Sequence, residues 1–159
     1  MAATTMPEFN TVPEALRHHA THKGDHPAFI FRHPQGSRHV QTFQQIYRLG
    51  GRFAAVLKAG GVGRGDIVVN TLPNCPERVV GEAGILLSGA ASVNAQCLLA
   101  DGSDLLSTVR VSRASALLVD PDVLHSPWEV SNSIKSHFTV KLLNSNVVSA
   151  IGLNYEVQS

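Results

Sequence analysis

Asp66-Ile67-Val68-Val69-Asn70-Thr71-Leu72 is an apolar run of strand length, and the segments that follow it decide the fold. Pro73-Asn74-Cys75-Pro76-Glu77 opens a helix, with Asn74 as the expected cap, Pro76 near the first helical position and Glu77 in the first turn. That helix runs through Leu87 to Gly89, and Ala91-Ser92-Val93 is a second short strand. Ser103 or Asp101 starts another helix through Arg113, with Leu105, Leu106 and Val109 on one side. Ser115-Ala116-Leu117-Leu118-Val119 is then a buried-type strand closed by Asp120-Pro121. Strand, helix, strand, helix, strand predicts parallel strands joined by right-handed crossovers. The expected class is α/β, a layered parallel sheet with crossover helices.

Upstream the periodicity changes. Pro13 suits the first turn of a helix after Thr11-Val12, and Gly24 stops it. Ala28-Phe29-Ile30-Phe31, the turn Pro34-Gln35-Gly36-Ser37 and the return run His39-Val40-Gln41 predict a hairpin. Thr42 is a good cap for the next helix, whose apolar positions Phe43, Ile46, Tyr47, Phe53, Ala54 and Leu57 share one face. Gly50-Gly51 weakens the middle of that helix by about 1 kcal/mol per glycine, and a close helix crossing would account for the pair. Downstream of Pro127 a weaker helix is expected around Trp128–Ser136 and a strand at Phe138–Leu143. The division expected is a flexible lead-in at 1–10, a body at 11–143 and an irregular tail at 144–159.

Composition narrows the function classes. The 159 residues are 43% hydrophobic and 16% charged, ample for a core. Thirteen Lys and Arg against twelve Asp and Glu leave a formal charge of +1, far from the balance of a nucleic-acid binder. Residues 1–65 carry eight basic and three acidic side chains, and residues 66–159 carry five and nine, an ordinary solvated surface tilted in sign. Two cysteines, Cys75 and Cys97, exclude a disulfide-rich scaffold and a four-cysteine zinc site. A single bridge between them is open to the chain, but the first ten residues have neither the apolar nor the basic region of an export signal. The uncharged stretch 83–100 is interrupted by Ser88, Gly89, Ser92, Asn94 and Gln96, which argues against a membrane span. A cytoplasmic protein with reduced thiols is the expectation.

The motifs that invite chemistry fail on order or spacing. The glycine run at 60–65 follows a helix and opens a strand, the reverse of a dinucleotide loop, and Asp66 stands where a third glycine would be required. It reads as a helix stop. No Gly-Lys-Ser/Thr occurs, so a P-loop is absent. Arg64-Gly65-Asp66 spells an integrin tripeptide by coincidence of composition. His18 and His22 are spaced i,i+4 with Glu14 one turn earlier, a metal-ligand spacing. All three lie opposite Val12 and Leu16 on the helical wheel, however, and no fourth ligand is near in sequence, so a solvated face is expected. Neither Cys75 nor Cys97 nor any serine sits in a nucleophile setting.

Five segments in order carry a resemblance to the adenylate-forming enzymes. Gln41-Thr42-Phe43-Gln44-Gln45-Ile46 resembles their Thr/Ser-Tyr-x-x-Leu helix start, and Gly63-Arg64-Gly65-Asp66-Ile67-Val68 is similar to their Gly-Asp-x-Val turn. Leu72-Pro73-Asn74-Cys75-Pro76-Glu77 resembles Pro-Asn-Ser-Pro-Glu, and Leu86-Leu87-Ser88-Gly89-Ala90-Ala91-Ser92-Val93-Asn94 resembles Leu-Lys-Ala-Gly-Ala-x-x-Val-x-Asn. Asp104-Leu105-Leu106 and Arg113-Ala114-Ser115-Ala116-Leu117-Leu118-Val119-Asp120 look like the following helix and strand. The likeness spans residues 11–122, and more loosely 123–143, and points to the acid–CoA ligases of medium-chain type.

The resemblance implies an incomplete flank of the large N-terminal domain of that fold, preceded by a helix and a hairpin. The parent reaction it implies is carboxylic or fatty acid plus ATP plus CoA to acyl-CoA, AMP and pyrophosphate, with Mg²⁺ assisting. The family's Ser/Thr/Gly-rich phosphate loop, its Tyr/Thr-Glu segment, its ribose-binding Asp and its catalytic Lys have no counterpart here. Beyond Lys23 the lysines are Lys58, Lys135 and Lys141. No catalytic, cofactor-binding or metal-ligating residue is therefore carried over. The expectation is a truncated, catalytically incompetent synthetase without cofactors of its own; ATP, Mg²⁺, CoA and the small-molecule acid belong to the intact enzyme. The alternative is a non-catalytic interaction module that docks on a full-length relative through an unpaired sheet edge.

Overall fold

The run Ala116-Leu117-Leu118-Val119 is buried at all four positions, and a strand covered on both faces needs a layer of helix on each side. The computed structural model describes residues 8–32, 34, 36–95, 103–119 and 141–144, and it places those layers. In chain order the elements are α1 (Val12–His22), β1 (Pro27–Arg32), β2 (Arg38–Thr42), α2 (Phe43–Ala59), β3 (Ile67–Asn70) and α3 (Pro76–Ser88). They continue with β4 (Ala91–Asn94), α4 (Ser103–Ser112), β5 (Ala116–Val119) and β6 (Lys141–Asn144).

The main sheet has the order β4-β3-β5-β6, and every neighbouring pair is parallel. The chain steps from β3 to β4 on one side and then returns across β3 to lay down β5 on the other. Right-handed crossovers in opposite directions place their helices on opposite faces. Leu49, Phe53 and Leu57 of α2 and Val80 and Ile85 of α3 meet Val68, Ala116 and Leu118 on one face. Leu105 and Val109 of α4 meet Val69, Leu117 and Val119 on the other. The period-two alternation of strand side chains thus divides β5 between two cores.

β1 and β2 form the expected antiparallel hairpin as a separate two-stranded sheet, with Phe29 opposite Gln41 and Phe31 opposite His39. Thr42 caps α2 in a capping box with Gln45. The glycine run ends α2 as read: Gly61 and Gly65 take positive φ, which is open to glycine at no steric cost. Asp66 closes the turn rather than joining the strand, because its carboxylate accepts from Gly63 N at 2.8 Å and from Ser115 Oγ at 2.7 Å.

The cap of α3 differs from expectation. Cys75, not Asn74, is the N-cap, and its side chain makes no capping bond. Pro76 is the reason: a residue preceding proline is held extended, and Cys75 has φ −137 and ψ 166. Asn144 also differs, since it ends β6 rather than starting an irregular tail. Residues 1–7 of the expected lead-in, the helix expected near 128–136, the first part of the strand expected at 138–143, and residues 145–159 lie outside the described residues.

The glycine pair in α2 splits in meaning. A Cβ on Gly50 would stand 2.9 Å from Ala83 Cβ of α3, whereas a Cβ on Gly51 meets nothing within 4 Å. The reciprocal position on α3 is Gly84, where a Cβ would stand 2.5 Å from Phe53 Cδ1 and 3.0 Å from Gly50 O. Gly84→Ala is therefore expected to destabilise the chain by about 1–3 kcal/mol through overpacking. Gly51→Ala, on the exposed side of the same crossing, should instead stabilise by about 0.5–1 kcal/mol. Urea titration of the two variants checks both signs.

Candidate functional site

In an open parallel sheet the ligand crevice lies beyond the carboxyl ends of the strands where the winding reverses. Here that place is the end of β3, between β4 and β5. Asn70, the last residue of β3, is fully buried. Its Oδ1 accepts from Leu72 N at 3.2 Å, and its Nδ2 donates to Glu82 Oε2 of α3 at 3.3 Å. Ser92 of β4 donates to the same oxygen at 2.8 Å. Thr71 donates to Leu118 O of β5 at 3.0 Å, which ties the exit of β3 to its other neighbour.

Arg78 spans the crevice. One guanidinium nitrogen donates to Leu72 O and the other to Asn94 Oδ1, the latter at 3.0 Å. Gln41 of β2 donates from Nε2 to Pro76 O at 3.3 Å and fixes the start of α3 from the hairpin side. Beside this network a cavity of about 320 Å³ opens between α1, β1, α2 and α3. Val12, Leu16, Phe29, Ile46 and Leu86 line it, with Arg78, Glu82 and Asn94 at its polar end.

Chemically this edge is a set of mutual tethers. Among the described residues of this edge, Asn70, Thr71, Arg78, Glu82, Ser92 and Asn94 all bond to other groups of the chain. The first residue of α3 is a proline without an N–H, and Arg78, the cation at the edge, already holds two oxygens of the chain. These residues do not fit a nucleotide triphosphate, which requires several convergent unpaired donors.

Sequence reading did not find Asn70, Arg78, Glu82, Ser92 and Asn94. The available signal was weak: Arg78 and Glu82 stand i,i+4 on α3, and polar residues terminate two apolar strands.

The residues singled out in the sequence are not gathered here. Glu14, His18 and His22 stay together on α1, but not as ligands. Glu14 Oε2 accepts from Asn10 N at 3.1 Å, His22 Nδ1 lies 2.8 Å from His18 O, and the two imidazoles stack with centroids 4.1 Å apart. Among the described residues no three His, Cys, Asp or Glu side chains are placed to hold a metal ion. The solvated face expected for these residues holds for His22, which is exposed, while Glu14 and His18 are half-buried and Phe9 packs on His18 at 5.0 Å. Val12 is 62% exposed and Leu16 half-buried, because both border the open cavity rather than a closed core. The carboxylate of Asp66 is spent on Gly63 and Ser115 and is not displayed for an integrin. Cys97 lies outside the described residues.

The chain matches the AMP-binding enzyme family across residues 16–152. It belongs to that family. Among curated relatives, it is 36% identical over 72 residues to an acetyl-coenzyme A synthetase of Sodalis glossinidius, covering 45% of this chain and 11% of that protein. It is 29% identical over 119 residues to a long-chain-fatty-acid–CoA ligase of Salmonella typhimurium, covering 74% of this chain and 20% of the relative. A solved fatty acyl-adenylate ligase, from work on the E. coli and L. pneumophila enzymes, superposes with a TM-score of 0.78 at 15% identity. That superposition covers 96% of this chain and 28% of the solved one. The N-terminal subdomain of NpsA from Klebsiella oxytoca gives 0.69 at 17% identity, over 95% and 33%. The fold is thus that of the N-terminal domain of adenylate-forming enzymes, and the chain spans a fifth or less of these two curated relatives. No helix among the described residues is long and apolar enough to cross a membrane.

In this member of the AMP-binding family Cys75 is half-buried at the start of α3. Burial at the start of α3 pushes its thiol up to about 11 from 9.0. At a pH of about 8 this lowers the thiolate fraction roughly a hundredfold, and the higher intrinsic nucleophilicity of the rarer thiolate recovers roughly tenfold. In a Cys97→Ser background, Cys75 should react with iodoacetamide about tenfold more slowly than an ordinary peptide thiol. Mass spectrometry of the time course measures it, and a rate equal to the peptide's would contradict the buried setting.

Proposed function

We propose that this chain is the scaffold flank of an AMP-forming acid–CoA ligase of medium-chain type and that its 159 residues do not form an acyl-adenylate by themselves. In the intact enzyme a carboxylic acid attacks the α-phosphorus of MgATP and releases pyrophosphate. The CoA thiol then takes the acyl group and releases AMP. Such chemistry needs charge stabilisation at the triphosphate and at the reacting carboxylate.

The observation that carries the reading is the self-tethered carboxyl edge of the sheet, where Arg78 and Asn70 are engaged with the chain's own oxygens and Glu82 accepts from two side chains. The absence from the sequence of a Ser/Thr/Gly-rich phosphate loop supports it. The residues that position this flank are Arg78, Glu82, Asn70, Ser92 and Asn94; none is assigned a catalytic, cofactor or metal role. A cytoplasmic setting belongs to the same proposal.

A second reading is favoured by one feature. Val12, Phe29 and Ile30 are about half or more exposed around the cavity and along β1. A non-catalytic module that docks on a full-length relative would cover that surface and use the hairpin edge to pair. The two readings part in one set of measurements. ATP–pyrophosphate exchange with short, aromatic and fatty acids should stay at the level of a heat-treated control, and exchange above it would overturn the proposed incompetence. Sedimentation of the chain mixed with a full-length acyl-CoA synthetase should show no complex; a complex lost in Ile30→Lys would establish the docking module instead.

A further inference from the structure

The cavity between α1, β1, α2 and α3 has an apolar wall and a polar end of mixed charge. Leu16 of α1, Phe29 of β1 and Leu86 of α3 stand on the wall, and Arg78 and Glu82 stand at the polar end. At about 320 Å³ the cavity lies at the small end of the range for ligand pockets, roughly 300–1,000 Å³. We propose that it binds a small uncharged molecule with an apolar tail and a carboxamide-type head, the tail against Leu16, Phe29 and Leu86 and the head between Arg78 and Glu82.

α3 builds both parts of the site. Val79, Ala83 and Leu86 recur at i, i+4 and i+7 and lay an apolar stripe along the cavity. Arg78 and Glu82 recur at i,i+4, each one residue before a member of that stripe, and so bring charge to its border. The stripe stays accessible because α1 does not close on it. No residue of α1 is fully buried, and Val79 and Leu86 are themselves half-buried.

The bonds already made at the polar end define what is left for a ligand. Among the described residues Glu82 accepts from Asn70 Nδ2 and Ser92 Oγ, both on Oε2, and Oε1 remains as an acceptor. Arg78 gives one N–H to Leu72 O and one to Asn94 Oδ1, out of the five that a guanidinium carries. The remaining capacity is one-sided on each residue, since Glu82 accepts and Arg78 donates. A carboxamide complements both at once, with its NH2 donating to Glu82 and its carbonyl accepting from Arg78.

Charged heads fit less well. A carboxylate pairs with Arg78 but meets Glu82 as a like charge, and an ammonium pairs with Glu82 but meets Arg78. Either ion also gives up hydration beside an apolar wall, which costs more for a charge than for an amide. Arg78 and Glu82 sum to zero, so a neutral head enters without a net Coulomb penalty. The inference goes beyond the scaffold reading, and its test needs no ATP.

Proton–nitrogen correlation spectra of the full chain at neutral pH, titrated with hexanamide, hexanoate and hexylammonium, test the site with three heads on one tail. Hexanamide should shift the amides around Leu16 and Leu86 and saturate in about the millimolar range, as suits a ligand of about eight heavy atoms. Hexanoate and hexylammonium should each bind at least about fivefold more weakly. Leu16→Trp, which fills the cavity from α1, should weaken hexanamide by at least about fivefold. Glu82→Gln removes the like charge and should tighten hexanoate by at least about threefold. If the amides of β3 show that Leu16→Trp has disturbed the fold, Val12→Trp carries the same comparison. Equal or tighter binding of either ion overturns the proposal. So does hexanamide binding that survives the folded tryptophan variant, hexanoate binding unchanged in folded Glu82→Gln, or no hexanamide binding at about 20 mM.

Discussion

The contact between Gly84 of α3 and Phe53 of α2 is the constraint on which the rest of the structure depends. With hydrogen in place of a Cβ, α3 lets the Phe53 ring lie against its backbone and the Gly50 carbonyl approach Gly84. Phe53 is completely buried there, together with Leu57 of α2 and Val80 and Ile85 of α3. An aromatic ring at such a site accounts for a large share of a small core. Because α3 is also the crossover from β3 to β4, the same contact fixes the position of the sheet's outer helical layer.

That placement makes the polar edge. Once α3 lies on β3 and β4, Arg78 and Glu82 project over the carboxyl ends of those strands, where Asn70, Ser92 and Asn94 emerge. Buried polar groups tend to find partners, and here Asn70, Glu82 and Ser92 find one another. The outcome is an edge whose hydrogen-bond capacity is largely turned inward. Adenylate-forming chemistry needs the opposite, donors held in place but unpaired until the triphosphate arrives.

What was legible in the sequence follows from how local each signal is. The Thr42 cap, the glycine stop after α2 and the alternation of strand and helix depend on residues a few positions apart, and the structure repeats them. The cap of α3 was misplaced by one residue because the side-chain preference of Asn74 lost to the backbone restriction that Pro76 imposes on Cys75. The glycine pair could be suspected of marking a crossing, but only the facing helix distinguishes Gly50 from Gly51. The edge network left only a weak trace in the sequence. Gln41 and Pro76 are 35 residues apart and Thr71 and Leu118 are 47 apart, and no period or motif links such pairs before the sheet order is known.

The two sides of α1 show how a correct helix prediction can still misread a surface. The wheel separates Val12 and Leu16 from Glu14, His18 and His22, and the sequence assigns the second set to water. That assignment holds in full only for His22, because burial is decided by what faces the helix and not by the helix. Val12 and Leu16 face the open space beside Phe29 and Leu86, while His18 and His19 face Phe9 and Phe43. Helical moment measures segregation, and a segregated helix still needs a partner before either stripe becomes interior. For α1 the ring contact to α2 is His19 on Phe43 at 5.1 Å, whereas α2, α3 and α4 are seated by side chains buried in the two cores.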